Sequence, residues 1–206
     1  MDSVTSFIYG MSMMFFSMMA FLFWRKGKEM LFRMIMWLMI VVDLQLVKDM
    51  VFFLIYGFDN EHAWYLTSSL DMMIIPFYSF VLMELVKPGW FGWLKALMLE
   101  LPFLLFPVFY IFTHNIIWFY VLSVWGAIYG CSTFILLIFL IRRYHRQLKE
   151  RFSYQENINL NWLLAILNTF FLILFLWTLS CFVINVDYDN IYMVSSLMLW
   201  MLIDYF

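Results

Sequence analysis

The chain has 206 residues, of which 66% are hydrophobic and 23% aromatic, and its formal net charge is -2. Soluble domains are only about 45–50% apolar, so the composition excludes an ordinary soluble domain and indicates an integral membrane protein. The two cysteines, Cys131 and Cys181, lack the spacing of metal ligands and lie in apolar runs, which predicts packed thiols without a metal.

Seven apolar segments follow one another along the chain. They are too long and too uniformly apolar for the roughly ten-residue, alternating strands of a membrane barrel, so each predicts a membrane-spanning helix. The segments are Ser6–Trp24, Met34–Tyr56, Trp64–Val86, Trp90–Phe112, Ile116–Ile141, Leu160–Ile184 and Ile191–Phe206. The predicted fold is therefore all-α, a single polytopic domain over residues 1–206. Pro76, Pro102 and Pro107 predict kinks in the third and fourth segments.

The basic residues predict the orientation of the chain. Apart from Lys48, every Lys and Arg lies on the same side of the predicted membrane, between segments one and two or five and six, or flanking the joint of segments three and four. Asp2, Asp59, Glu61, Asp187 and Asp189 lie on the opposite side, without a basic residue. The positive-inside rule places the N-terminus outside and the C-terminus inside. The long basic loop after Ile141 is expected to begin as an extension of the fifth helix.

Segment two carries the most informative polar residues. Asp43 falls near the bilayer midplane, and Lys48 and Asp49 lie roughly 8 Å nearer the outer side. Ionised groups at such depth cost at least about 2.5 kcal/mol each, so they require partners. Asp71, about seven residues into segment three, has the depth of Lys48, and antiparallel neighbours would pair these two residues.

The helical spacing adds two further expectations for this cluster. Lys48 and Asp49 point about 100° apart on an ideal helix, so Lys48 is not expected to reach Asp49 and Asp71 together without bending its stem. Gln45 shares a face with Lys48 and Asp49. Lys48, Asp49, Asp71, Gln45 and Asp43 are the candidate signal-sensing residues.

A second polar tier is predicted on the inner side, about 10 Å from the inner boundary. It comprises Glu100, Asn168 and Asp204, which we interpret as residues that couple the signal to an output. Two readings of all these polar groups remain open: a ligand- or proton-responsive cavity, and polar contacts that only hold helices together.

Several short stretches resemble a known family. They are Tyr9-Gly10-Met11-Ser12-Met13-Met14, Leu44-Gln45-Leu46-Val47-Lys48-Asp49, and Phe152-Ser153-Tyr154 followed by Glu156-Asn157 and Leu160-Asn161-Trp162-Leu163. They are similar to the N-terminal seven-helix membrane sensor regions of Bacteroidetes AraC-type transcriptional regulators, which are related to the membrane regions of sensor histidine kinases. The resemblance implies a bacterial inner-membrane sensor that controls a C-terminal cytoplasmic helix-turn-helix domain through dimerisation. DNA would be contacted only through that domain.

The end of the sequence fits the same expectation. Segment seven is 16 residues long and ends on Asp204-Tyr205-Phe206 without a basic anchor. Such a helix would span only about 24 Å of a roughly 30 Å hydrocarbon core. We therefore expect the chain to continue beyond this segment.

The sequence offers no pattern of a membrane enzyme or of a bound cofactor. The last segment lacks the lysine of retinal proteins, the three histidines lie in loops or at helix ends, and the motifs of rhomboid, zinc and aspartyl intramembrane proteases are absent. We predict a non-enzymatic sensor of a small-molecule or lipid signal from the bilayer or the outer side. The alternative is a small seven-helix transporter, which should show internal similarity between segments one to three and five to seven. No such similarity is visible.

Overall fold

The computed structural model describes residues 3–27, 29–56, 60–151 and 161–182, together with 191–192, 194–195 and 197–198. The regular structure in these ranges is entirely helical, as predicted. The helices are α1 (Ser3–Lys26), α2 (Met30–Tyr56), α3 (Glu61–Asp71), α4 (Ile74–Val86), α5 (Trp93–Thr113), α6 (Ile117–Arg151) and α7 (Asn161–Phe182).

Within the part of the chain that the structure describes, four helical stretches are long and apolar enough to cross a membrane. They are α1, the combined stretch Glu61–Val86, α5, and α6 as far as Tyr144. These stretches indicate a membrane-embedded protein. The predicted segment six corresponds to α7, whereas segment seven is described only at residues 191–192, 194–195 and 197–198, which are helical.

The predicted third segment is two helices, not one. The chain leaves the α-helix at Met72 and Met73, and Ile75 donates its backbone N–H to the Met72 carbonyl at 3.2 Å in a tighter turn. Pro76 explains the break, because it has no N–H for the carbonyl four residues earlier and its ring clashes with that carbonyl. By contrast, α5 continues through Pro102 and Pro107.

Helix α4 is the centre of the bundle. Nearly all of its residues are buried, and it packs against α2, α5, α6 and α7. Leu82 in α4 and Leu38 in α2 belong to the larger of two apolar clusters, whereas Phe103 and Leu122 form the smaller one with Met72 and others. Helix α1 packs along α2 at the edge of the bundle.

The loop between α4 and α5 is ordered by a carboxylate. Glu84, a buried residue, accepts the backbone N–H of Gly89 at 2.7 Å and that of Phe91 at 2.9 Å. Gly89 has φ +81°, a left-handed conformation that costs a residue with a Cβ extra energy. The turn therefore depends on both residues.

The helical extension predicted after Ile141 is confirmed, because α6 runs on to Arg151. One prediction for this helix is wrong. Cys131 is exposed on the surface of α6, although its apolar neighbours indicated a packed thiol. An apolar run in a membrane helix has a lipid-facing side as well as a packed side, and the run alone does not distinguish them.

Candidate functional site

The candidate site is built where the side chains of α2 meet the end of α3. Lys48 extends from α2, and its Nζ lies 2.6 Å from Asp71 Oδ1, the ion pair that equal depth predicted. Asp71 is the last residue of α3, immediately before the break at Met72. The pair therefore joins α2 to the point where the neighbouring helix is interrupted.

Lys48 also contacts the second acid. Its Nζ lies 2.8 Å from Asp49 Oδ1, and it donates to the Thr67 carbonyl at 3.0 Å. Lys48 therefore contacts both acids at once, which the helical spacing allows only with a bent stem. The four-carbon stem of lysine is flexible enough to place the ammonium between them. All three N–H donors of the ammonium have an oxygen within reach.

A second side chain of α2 supports the same helix end. Gln45 Nε2 donates to the Leu70 carbonyl at 3.3 Å. The carbonyls near the C-terminal end of a helix carry the negative end of the helix dipole, and the Leu70 carbonyl also accepts the backbone N–H of Met73 at 3.2 Å. The broken end of α3 is therefore stabilised by a cation and an amide donor, both from α2.

The cluster Lys48–Asp49–Asp71 is largely buried but keeps some exposure to solvent. The side chains of Lys48, Asp49 and Asp71 are 17%, 22% and 13% exposed. One ammonium and two carboxylates give it a formal charge of -1. Such a cluster can redistribute its lysine between two acids when an added charge, a proton or a ligand changes their balance.

Asp43 is not part of this cluster. Its Oδ2 accepts a hydrogen bond from the Ser17 hydroxyl on α1, and its Oδ1 is enclosed without a hydrogen-bond partner among the described residues. Asp43 therefore belongs to the contact between α1 and α2. The spacing of polar residues along α2 could not predict this contact, because its partner is on α1 and a single serine there gives no distinctive sequence signal.

The inner tier appears only in part. Both Glu100 oxygens are enclosed and have no hydrogen-bond partner in the described ranges. Asn168 lies on the exposed side of α7, and Asp204 is outside the described residues. The proposed coupling of these three residues stays a prediction.

A hydrogen bond between hydroxyls on neighbouring helices was not revealed by the sequence. The Tyr129 hydroxyl of α6 is hydrogen bonded to the Ser79 hydroxyl of α4. Ser, Thr and Tyr are common in membrane helices, so only their meeting in space distinguishes this pair.

Glu84 is the other polar residue that the sequence analysis overlooked. A signal for it exists, because it is followed within five residues by Lys87-Pro88-Gly89, a turn whose free amides need an acceptor. Its contacts give it a structural role at the end of α4.

No family model matches the chain, and neither does any curated protein or solved structure. The resemblance to AraC-type sensor regions therefore rests on the short stretches of sequence alone. Among the described residues, no group of three or more His, Cys, Asp or Glu side chains could hold a metal ion.

Proposed function

We propose that the chain is the membrane-embedded sensory domain of a one-component transcriptional regulator. It would cross a bacterial inner membrane seven times, with the N-terminus outside, and pass a small-molecule or lipid signal to a cytoplasmic DNA-binding domain. It would not be an enzyme. The observation that carries the proposal is the shielded Lys48–Asp49–Asp71 cluster placed against an interrupted helix.

The interruption between α3 and α4 allows a change in the cluster to move α3. Because α3 and α4 are separated at Met72–Met73, α3 can change its angle without bending the packed α4. A signal that draws Lys48 toward Asp49 and away from Asp71 would loosen the end of α3. Helix α4 contacts α7 directly, which offers a route to the cytoplasmic side.

The seven-span topology is supported by the distribution of charge. Arg25 and Lys26 end α1, and Arg142, Arg143 and Arg146 lie at the far end of α6. These are the ends that the positive-inside rule assigns to the cytoplasm.

Cysteine labelling in intact cells tests this topology. In a background with Cys131 and Cys181 replaced by serine, a membrane-impermeant maleimide should label Glu61→Cys but not Lys87→Cys. Both native positions are exposed, so a difference reports the side of the membrane. Labelling of Lys87→Cys but not of Glu61→Cys would show that the orientation is the opposite of the one proposed.

The function is tested by Lys48→Met and Asp71→Asn in the regulator encoded by the native gene. Both variants should insert normally and abolish or lock the transcriptional response. Lys87→Met is the matched control, because it removes an exposed lysine outside the cluster. Normal responses from both cluster variants would show that the signal acts elsewhere.

A transporter is the second candidate, and the break between α3 and α4 favours it. Interrupted helices near charged groups are common at the substrate sites of secondary transporters. Uptake of labelled metabolites into proteoliposomes, lost in Lys48→Met, would support this candidate. A reading frame that continues past the codon for Phe206 into a helix-turn-helix would instead support the sensor.

A further inference from the structure

Two histidines that are distant in sequence meet at one end of the bundle. His62 is the second residue of α3, and His114 follows the last residue of α5. Their rings are edge to face with centroids 6.5 Å apart, and both residues are exposed. His114 has φ 51°, the left-handed conformation of a helix cap, which turns the chain at this point.

A tyrosine on α5 orients the first of these rings. The Tyr110 hydroxyl donates to the His62 carbonyl at 3.4 Å and lies 3.4 Å from His62 Nδ1. Tyr110 is only 2% exposed, so its position is set by the packing of α5. The ring of His62 is therefore held toward the helix that carries His114.

The same tyrosine contacts one ring nitrogen of His62. The Tyr110 hydroxyl lies 3.4 Å from both the His62 carbonyl and Nδ1, and its one proton can be donated to either acceptor. When the proton goes to the carbonyl, Nδ1 carries the ring proton and Nε2 has the free lone pair. Histidines that bind metals commonly have this arrangement, with one ring nitrogen donating to an oxygen and the other bound to the ion.

We propose that His62 and His114 form a binding site for a divalent transition-metal ion of the Zn²⁺ class. Neutral imidazoles suit such ions. With Zn–N bonds of about 2.0–2.1 Å and tetrahedral geometry, two imidazoles on one ion have ring centres about 5 Å apart. The two rings, now 6.5 Å apart, would therefore have to approach by about 1 to 1.5 Å, which rotation of two exposed side chains can provide. Water completes the coordination, since the site has two protein ligands.

The position of the pair connects it to the charged cluster. Helix α3 has 11 residues, or about 16 Å, with His62 at its start and Asp71 at its end. An ion shared with His114 would tie the start of α3 to the end of α5, while Lys48 holds its other end to α2. Metal binding does not depend on the proposed function, but its role as a signal does.

Zinc titration of the purified, tag-free protein in micelles tests the site. Isothermal calorimetry should give one Zn²⁺ per chain, with affinity reduced at least about tenfold in His62→Gln and in His114→Gln. His114→Gln leaves the contacts of Tyr110 intact, so its effect reports loss of a ligand. The matched control is His145→Gln, which replaces the third histidine, at the other end of α6, and should bind as the native protein does.

Three results separate the possible failures. Absence of saturable binding to the native protein, or binding as tight as that of the native protein in both His62→Gln and His114→Gln, overturns the site. Zinc binding that leaves the transcriptional response unchanged overturns the signalling role alone. If Lys48→Met abolishes the response but zinc does not bind, the proposed function stands without this site.

Discussion

Replacing Lys48 should destabilise the protein more than replacing either acid of its cluster. The reason is that the two substitutions leave different charges in the cluster. Asp71→Asn leaves one lysine with one acid, Asp49, at 2.8 Å. Lys48→Met leaves two carboxylates side by side without a cation, and it removes the donor to the Thr67 carbonyl.

The magnitudes follow from the shielding of these groups. All three side chains are at most 22% exposed, so solvent screens them only partly. Removing one partner of a buried ion pair costs about 3–5 kcal/mol, which we expect for Lys48→Met. Loss of one charge-assisted hydrogen bond costs about 1.5–3 kcal/mol, which we expect for Asp71→Asn. The triple variant Lys48→Met/Asp49→Asn/Asp71→Asn should recover part of the loss of Lys48→Met, because no uncompensated charge is left in the cluster.

Reversible unfolding in mixed micelles with increasing dodecyl sulfate can measure these differences, with tryptophan fluorescence as the signal from the 10 tryptophans. The native protein, the single variants and the triple variant give the coupling within the cluster. Should Lys48→Met cost no more than Asp71→Asn, the ammonium does not hold the two acids together, and the account of the cluster is wrong.

Three further predictions use the same unfolding measurement. Glu84→Ala removes both amide hydrogen bonds of the α4–α5 loop and should cost about 1–3 kcal/mol; an unchanged midpoint would mean that the loop is ordered without it. Gly89→Ala should cost about 1–2 kcal/mol because of its positive φ, whereas Gly130→Ala, whose added Cβ meets nothing within 4 Å, should be neutral or stabilising by up to about 1 kcal/mol. Ser17→Ala takes away the hydrogen-bond donor of Asp43 and should cost about 1.5–3 kcal/mol, a loss that should shrink when Asp43→Asn is also present.

The pairing of Lys48 with Asp71 could be predicted because the sequence places the two residues at the same depth in the membrane. A rise of about 1.5 Å per residue and a short turn between neighbours place two residues at one level. The inclusion of Asp49 could not be predicted in this way. It depends on the conformation of the lysine stem, which helical geometry does not determine.

Other parts of the site depend on rotation about the helix axis. Hydropathy locates α5 and α7, but it does not say which way Glu100 or Asn168 points when nearly every residue around them is apolar. Polar patterning, which gives this information in soluble proteins, is absent in such segments. Pro76 predicted a disturbance near Met72–Met73, where the helix breaks. Helix α5, however, continues through two prolines. Proline alone therefore predicts that a helix is disturbed but not whether it breaks.

The enclosure of α4 has a consequence for how substitutions would be tolerated along the chain. A helix that faces lipid is constrained mainly to be apolar, because the bilayer adapts to its shape. Helix α4 faces other helices almost all round, so a change of volume there leaves a gap or a clash even when hydrophobicity is preserved. In a saturation mutagenesis experiment, side-chain size should determine survival in α4, whereas polarity should determine it along the exposed face of α5.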